Sequence, residues 1–171
     1  MRSDRRSDLE RFIENEYPRL SNVLTLYCGD RDLGEELAQE ALVRTCRDWR
    51  KVAKADSPSA WVTRVGLNLA NSVFRRRKIE RRVLRDIVDT VDPVHNADAA
   101  EVISVRQAVV KLPPRQRKAL LLRYYLDLSV SETARVMECP EGTVKTLTRS
   151  AIAGLRHDIN IGEHDGIPDV V

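Results

Sequence analysis

Lys145, Thr146 and Arg149 are residues whose types and spacing suit one chemistry, contact with phosphates and base edges of nucleic acid. The planar fork of an arginine can pair twice with guanine in the major groove, while lysine meets phosphate as a point charge. They belong to residues 112–156, LPPRQRKALLLRYYLDLSVSETARVMECPEGTVKTLTRSAIAGLR. There Val144, Leu147, Ala151 and Leu155 recur at spacings of three and four, a buried helical stripe that leaves Lys145, Thr146 and Arg149 on the opposite face.

The elements that position this face follow from the residues before it. Residues 131–137 read as a short helix with small Ala134 at the crowded position facing its partner. Pro140 cannot continue that helix and biases Cys139 toward extended geometry. A second helix is predicted to start near residues 141–143, with Glu141 suiting its positive end. Two helices joined by such a turn are the scaffold that lays a recognition helix in the major groove. An ordinary amphipathic helix with a solvated face is the plain alternative. The turn, the small Ala134 and the basic outer face together favour DNA.

Composition bounds the rest. At 171 residues the chain has room for one domain or two small ones, and its 32% charged residues suit large solvated faces. Glycine and aromatic residues are few and no alternating apolar run appears, which predicts an all-α fold. No apolar run approaches the roughly 18–20 residues that span a bilayer, and the N-terminal MRSDRRSDLER lacks the apolar core of a signal peptide, so a cytoplasmic protein without membrane insertion is expected. Cys28, Cys46 and Cys139 are widely spaced without a CxxC pair, so neither a metal site nor a disulfide is expected. His95, His157 and His164 fall in expected linker or tail segments. No nucleophile with its base, phosphate-cradling glycine loop or acid pair is visible, so neither enzyme activity nor a cofactor is expected.

Charge is unevenly placed. Residues 64–85 carry Arg64, Arg75, Arg76, Arg77, Lys78, Arg81, Arg82 and Arg85 against Glu80, and residues 86–101 carry Asp86, Asp89, Asp92, Asp98 and Glu101 without a cation. A basic helix running into an acidic segment with Pro93 and Asn96 marks a domain ending and a flexible linker beginning. This divides the chain into a domain at 1–85, an acidic linker at 86–101, a second domain at 102–157 and a disordered tail at 158–171. The first domain has three helical patterns. One has Leu9, Phe12, Ile13, Leu20, Val23, Leu24 and Tyr27 inward with a break or kink at Pro18. The second runs from about residue 30 to 49 with Leu33, Leu37, Ala41, Leu42 and Trp49 inward, and a polar loop at 50–56 follows. The third begins at Ser57-Pro58, a helix start signal, with Trp61, Val62, Val65, Leu69 and Val73 inward.

The segments DLGEELAQEALVRTCRDW at 32–49 and AWVTRVGLNLANSVFRRRK at 60–78, followed by the helix-turn-helix, resemble an extracytoplasmic-function sigma factor. These are the smallest members of the sigma-70 family of bacterial RNA polymerase initiation subunits, and the likeness covers about residues 9–156, closest to an actinobacterial type. The resemblance implies two small helical domains, sigma region 2 and sigma region 4. It implies that Glu36, Gln39, Glu40 and Arg44 dock on the β′ clamp helices of core polymerase. It implies that Lys51, Lys54, Arg64, Asn68, Asn71, Arg75, Arg76 and Arg77 serve the −10 element, where a base leaves the stack for a protein pocket and cations track the strand. Arg115, Arg117, Thr143, Lys145, Thr146 and Arg149 then serve the −35 element, and the same domain docks on the β flap. A cognate anti-sigma factor is a further implied partner.

Three positions depart from the family pattern. Glu138 stands where many members have glycine, at a turn that often needs positive φ and where another residue costs roughly 1–2 kcal/mol. Leu147 and Ser150 stand where many members have arginine, which throws the −35 readout onto Lys145, Thr146 and Arg149. The competing readings are an autonomous helix-turn-helix repressor with an N-terminal dimerisation or sensing domain, and an enzyme with an appended DNA-binding domain.

Overall fold

The computed structural model describes residues 2–87 and 105–159, and all their regular structure is helical. Three long helices come first: α1, Arg2–Cys28; α2, Arg31–Val52; and α3, Pro58–Ile87. Four further helices follow: α4, Val105–Lys111; α5, Pro114–Leu120; α6, Val130–Met137; and α7, Glu141–Ile159. Between α5 and α6 the chain widens into a π-helical turn, Leu121–Tyr125, with the Leu126 N–H donating to the Leu121 carbonyl at 3.0 Å.

α1 runs through Pro18 without the expected break. Proline in a helix interior costs about 3 kcal/mol. Beyond it, however, Leu20, Val23, Leu24 and Tyr27 are all buried, and each buried large apolar side chain contributes roughly 1.5–3 kcal/mol. Continuing the helix brings that stripe onto its partners, so packing outweighs the local cost. α1 ends at Gly29, whose φ of 72° lets the chain reverse. Asp30 then caps α2, its carboxylate accepting from the Leu33 backbone N–H at 3.1 Å. The two helices cross closely at Gly34, where a Cβ would lie 2.5 Å from the Thr25 backbone nitrogen.

α2 extends to Val52, so the expected loop at 50–56 is shorter than its composition suggests. Val52 is 1% exposed, and its burial draws one more turn into the helix. α3 begins as predicted: the Ser57 hydroxyl accepts from the Ala60 N–H at 3.2 Å, with Pro58 in the first turn. Val62 and Leu67 are fully buried on its inner face, and Trp61, Val65, Leu69 and Val73 pack partly buried against the core.

In the second group, Ser129 and Glu132 form a reciprocal capping box that starts α6, with Oγ accepting at 3.1 Å and the carboxylate accepting at 2.8 Å. α6 ends at Glu138 with φ 52° and ψ 50°, so the left-handed turn is kept without glycine. Ala134, Val144 and Ala151 are buried, while Leu147 and Leu155 are half-buried.

The two groups pack against one another. One apolar cluster joins Leu20, Leu24, Leu37 and Leu67 to Val109, Leu112, Leu121 and Val136. α3 ends at Ile87; the expected linker at 86–101 and the expected tail at 158–171 otherwise lie outside the described residues. Among the described residues no helix is long and apolar enough to cross a membrane.

Candidate nucleic-acid interface

On α7 the three residues expected to face DNA share the solvent side of the helix. Lys145, Thr146 and Arg149 are exposed, and Val144 and Ala151 anchor the opposite side. The Thr146 hydroxyl donates to the Gly142 carbonyl at 3.0 Å. This fixes its rotamer along the helix. Thr143 is half-buried at the first turn, and Arg115 is exposed in α5.

Arg117 is not on this surface. It is 8% exposed, its Nη1 donates to the Tyr27 carbonyl at 2.6 Å, and its Nη2 donates to the carbonyls of Leu112, at 3.0 Å, and Val110. Its guanidinium also lies 5.7 Å from the centre of the Tyr27 ring. Burial pulls this group below its ordinary pKa, with Tyr27 and Cys28 opposing the shift. Expected as a DNA contact, Arg117 is a structural tie, because these carbonyls would be left without partners in the interior. Arg123 behaves similarly, donating to the Leu128 carbonyl. Lys118 is buried as well, and desolvation lowers its pKa despite attraction from Glu138.

The cations expected at the −10 element form two sets. Arg75, Arg76 and Arg77 project into solvent from the later turns of α3, and Arg76 pairs loosely with Glu80 at 3.7 Å. Lys51 and Lys54 are exposed at the end of α2 and in the turn after it, and Asn68 is exposed in α3. Two expected members are already engaged. Asn71 is half-buried and its Oδ1 accepts from the Tyr27 hydroxyl at 2.6 Å, which ties α3 to α1. Arg64 pairs with Glu138 of the helix-turn-helix at 3.0 Å.

The outer face of α2 brings together Glu36, Gln39, Glu40 and Arg44. Glu40 and Arg44 pair at 2.8 Å one turn apart, leaving Glu36 as the uncompensated charge beside exposed Gln39. Val43, 44% exposed among them, is an apolar side chain on this face that sequence reasoning passed over. Its spacing from Gln39 was the available signal. Among the described residues no cluster of His, Cys, Asp or Glu is arranged to hold a metal.

The described residues thus form a three-helix group with a cationic third helix, packed against a helix-turn-helix group with an exposed cationic face of its own. Known proteins give that architecture a family. Residues 12–79 match the family model for sigma-70 region 2, and residues 103–153 match the model for sigma-70 region 4. The RNA polymerase sigma-E factor of Streptomyces avermitilis is 31% identical over 134 residues, covering 77% of this chain and 73% of that protein. The ECF RNA polymerase sigma factor SigW of Bacillus subtilis is 26% identical over 145 residues, covering 77% and 78%. Among solved structures, the sigma factor RpoE of Bartonella quintana, in complex with the anti-sigma factor NepR, shares the fold with a TM-score of 0.76 and 20% identity over 91% of this chain and 99% of that one. The chain belongs to the sigma-70 family, in its extracytoplasmic-function group.

Proposed function

We propose that this chain is a promoter-specificity subunit that joins core RNA polymerase, places its two helical groups on the −10 and −35 elements, and nucleates strand opening. It binds and positions, and it catalyses no covalent step. The observation that carries this reading is the succession of regions 2 and 4 in one chain, each with an exposed polar face, Arg75–Arg77 with Lys51 and Lys54 on the first and Lys145, Thr146 and Arg149 on the second.

In this reading residues 1–85 form the core-docking and −10 domain, residues 86–101 the linker, and residues 102–157 the −35 domain. The α2 face at Glu36, Gln39, Val43 and Glu40–Arg44 meets the β′ clamp helices, and the second domain meets the β flap. Exposed cations on α3 hold the non-template strand by its phosphates, which costs no sequence information and speeds capture. Arg149 and Lys145 divide the −35 work between base edge and backbone. The action is cytoplasmic, where the polymerase is. A cognate anti-sigma factor fits the same reading, in keeping with the RpoE relative, whose structure holds one.

The test measures binding to labelled duplexes from a genomic promoter pool, with and without core polymerase. A sigma subunit binds weakly alone and selectively with core. Tight dimeric binding to two-fold sites by the chain alone would instead identify an autonomous repressor.

A further inference from the structure

The two helical groups are clasped at two separate points. At the first, the end of α1 docks on α4 and α5. The Tyr27 carbonyl, among the last of its helix and without an intrahelical partner, is taken by buried Arg117 at 2.6 Å. A Cβ on neighbouring Gly29 would lie 2.8 Å from a Val110 methyl, so backbone and side chain are in close contact there. At the second point, Glu138 at the end of α6 meets Arg64 of α3 at 3.0 Å. Beside that pair lies a cavity of about 180 Å³, lined by Ser57, Trp61 and Arg64 on one side and Leu128, Glu132 and Arg135 on the other.

The clasps differ in strength. Arg117 is buried and donates to three carbonyls through its two terminal nitrogens, whereas the side chains of Arg64 and Glu138 are 36% and 68% exposed. An exposed pair biases an equilibrium by only about 1.5- to 5-fold. Glu138 is nevertheless a conspicuous choice for its position. It holds φ 52°, a left-handed conformation that glycine or asparagine adopts at less cost. A locally unfavourable residue points to a compensating gain elsewhere, and the ion pair this side chain makes is with Arg64.

We infer that Glu138 is an autoinhibitory latch: from the turn of the helix-turn-helix it occupies Arg64, masking a strand-facing cation and biasing the free chain toward a closed arrangement of its two DNA-binding groups. The inference rests on the sigma reading for the role of Arg64. The weakness of the latch suits its purpose, because core polymerase and promoter must release it to separate α6–α7 from α3. A strong lock here would oppose initiation, and no lock would leave Arg64 open to any single strand.

The test uses the full chain with spin labels at Cys46 on α2 and at an introduced cysteine, Ala153→Cys, on α7, both exposed positions, with Cys28 and Cys139 replaced by serine. In pulsed dipolar distance measurements, Glu138→Gln should raise the open-to-closed ratio about 1.5- to 5-fold. Arg64→Gln should do the same, and the double variant should add nothing further. The reversed pair, Arg64→Glu with Glu138→Arg, should restore the closed ratio. An unchanged distribution in Glu138→Gln, or additive effects in the double variant, overturns the latch. No polymerase or promoter enters this measurement, so its failure leaves the sigma reading standing. Conversely, a Glu138→Gln protein that opens as stated but never supports core-dependent initiation would sink the sigma reading alone.

Discussion

Arg117 in α5 donates to the carbonyl of Tyr27 at the end of α1, 90 residues earlier in the chain, across 2.6 Å. A cation that reads as a DNA contact in sequence is therefore a stitch between two helical groups. Hydrogen bonds from a charged donor contribute about 1.5–3 kcal/mol, and stranded buried carbonyls cost more. Arg117→Ala should lower unfolding free energy by roughly 2–4 kcal/mol, read by urea denaturation. Arg117→Lys should recover only a minor part, since an ammonium cannot span three carbonyls with one planar fork. Unchanged stability together with weakened promoter binding would return Arg117 to the DNA surface.

The end of α1 also predicts an alkaline transition. Burial pushes the Tyr27 hydroxyl up to about 12, with Arg117 opposing and Cys28 adding to the shift. Burial pushes the Cys28 thiol up to about 11, with Asp30 adding to it. Both groups stay neutral in the fold while their unfolded counterparts, at about 10 and 9, ionise first. The unfolded state therefore binds fewer protons, and stability falls as pH rises, chiefly between pH 9 and 12. Tyr27→Phe should flatten the upper part of that fall in denaturation curves taken across the range. At pH 8, thiol alkylation should be faster at exposed Cys46 than at Cys28. Equal rates at the two would contradict the buried environment of Cys28.

On α7 the two outward cations should separate by kind. Arg149→Ala, measured in complex with core polymerase, should cost about 1–3 kcal/mol and relax preference at one base pair of the −35 element. Lys145→Ala should weaken all sequences alike and reduce the salt slope by about 1. A uniform loss from Arg149→Ala would place its guanidinium on phosphate instead.

Helix periodicity made most of the fold legible. The Ser57-Pro58 start, the apolar stripe of α7 and the turn at residues 138–140 each depend on neighbours in sequence, and each appears where its local chemistry puts it. Pro18 misled because a local breaker was weighed without the burial of Leu20, Leu24 and Tyr27 beyond it. The site divided along the same line. Lys145, Thr146 and Arg149 were readable because facing is periodic along one helix. The fates of Arg117, Asn71 and Arg64 were not, since each is decided by a partner 44 or more residues away. Arginine looks the same in sequence whether it meets phosphate or a buried carbonyl. The continuous apolar cluster between the two groups was hidden for the same reason, because an acidic segment between two patterns says nothing about their packing.

The central claim is that this chain confers promoter selectivity on RNA polymerase through its two helical groups. Run-off transcription with purified core polymerase and a genomic promoter pool tests it most directly. Defined transcripts should start at a restricted set of promoters only when the chain is added. They should be lost on charge reversal of Arg75, Arg76 and Arg77, and depleted by Glu36→Lys, which disrupts the docking face. Core polymerase that initiates no specific transcript in the presence of the folded chain would contradict the account.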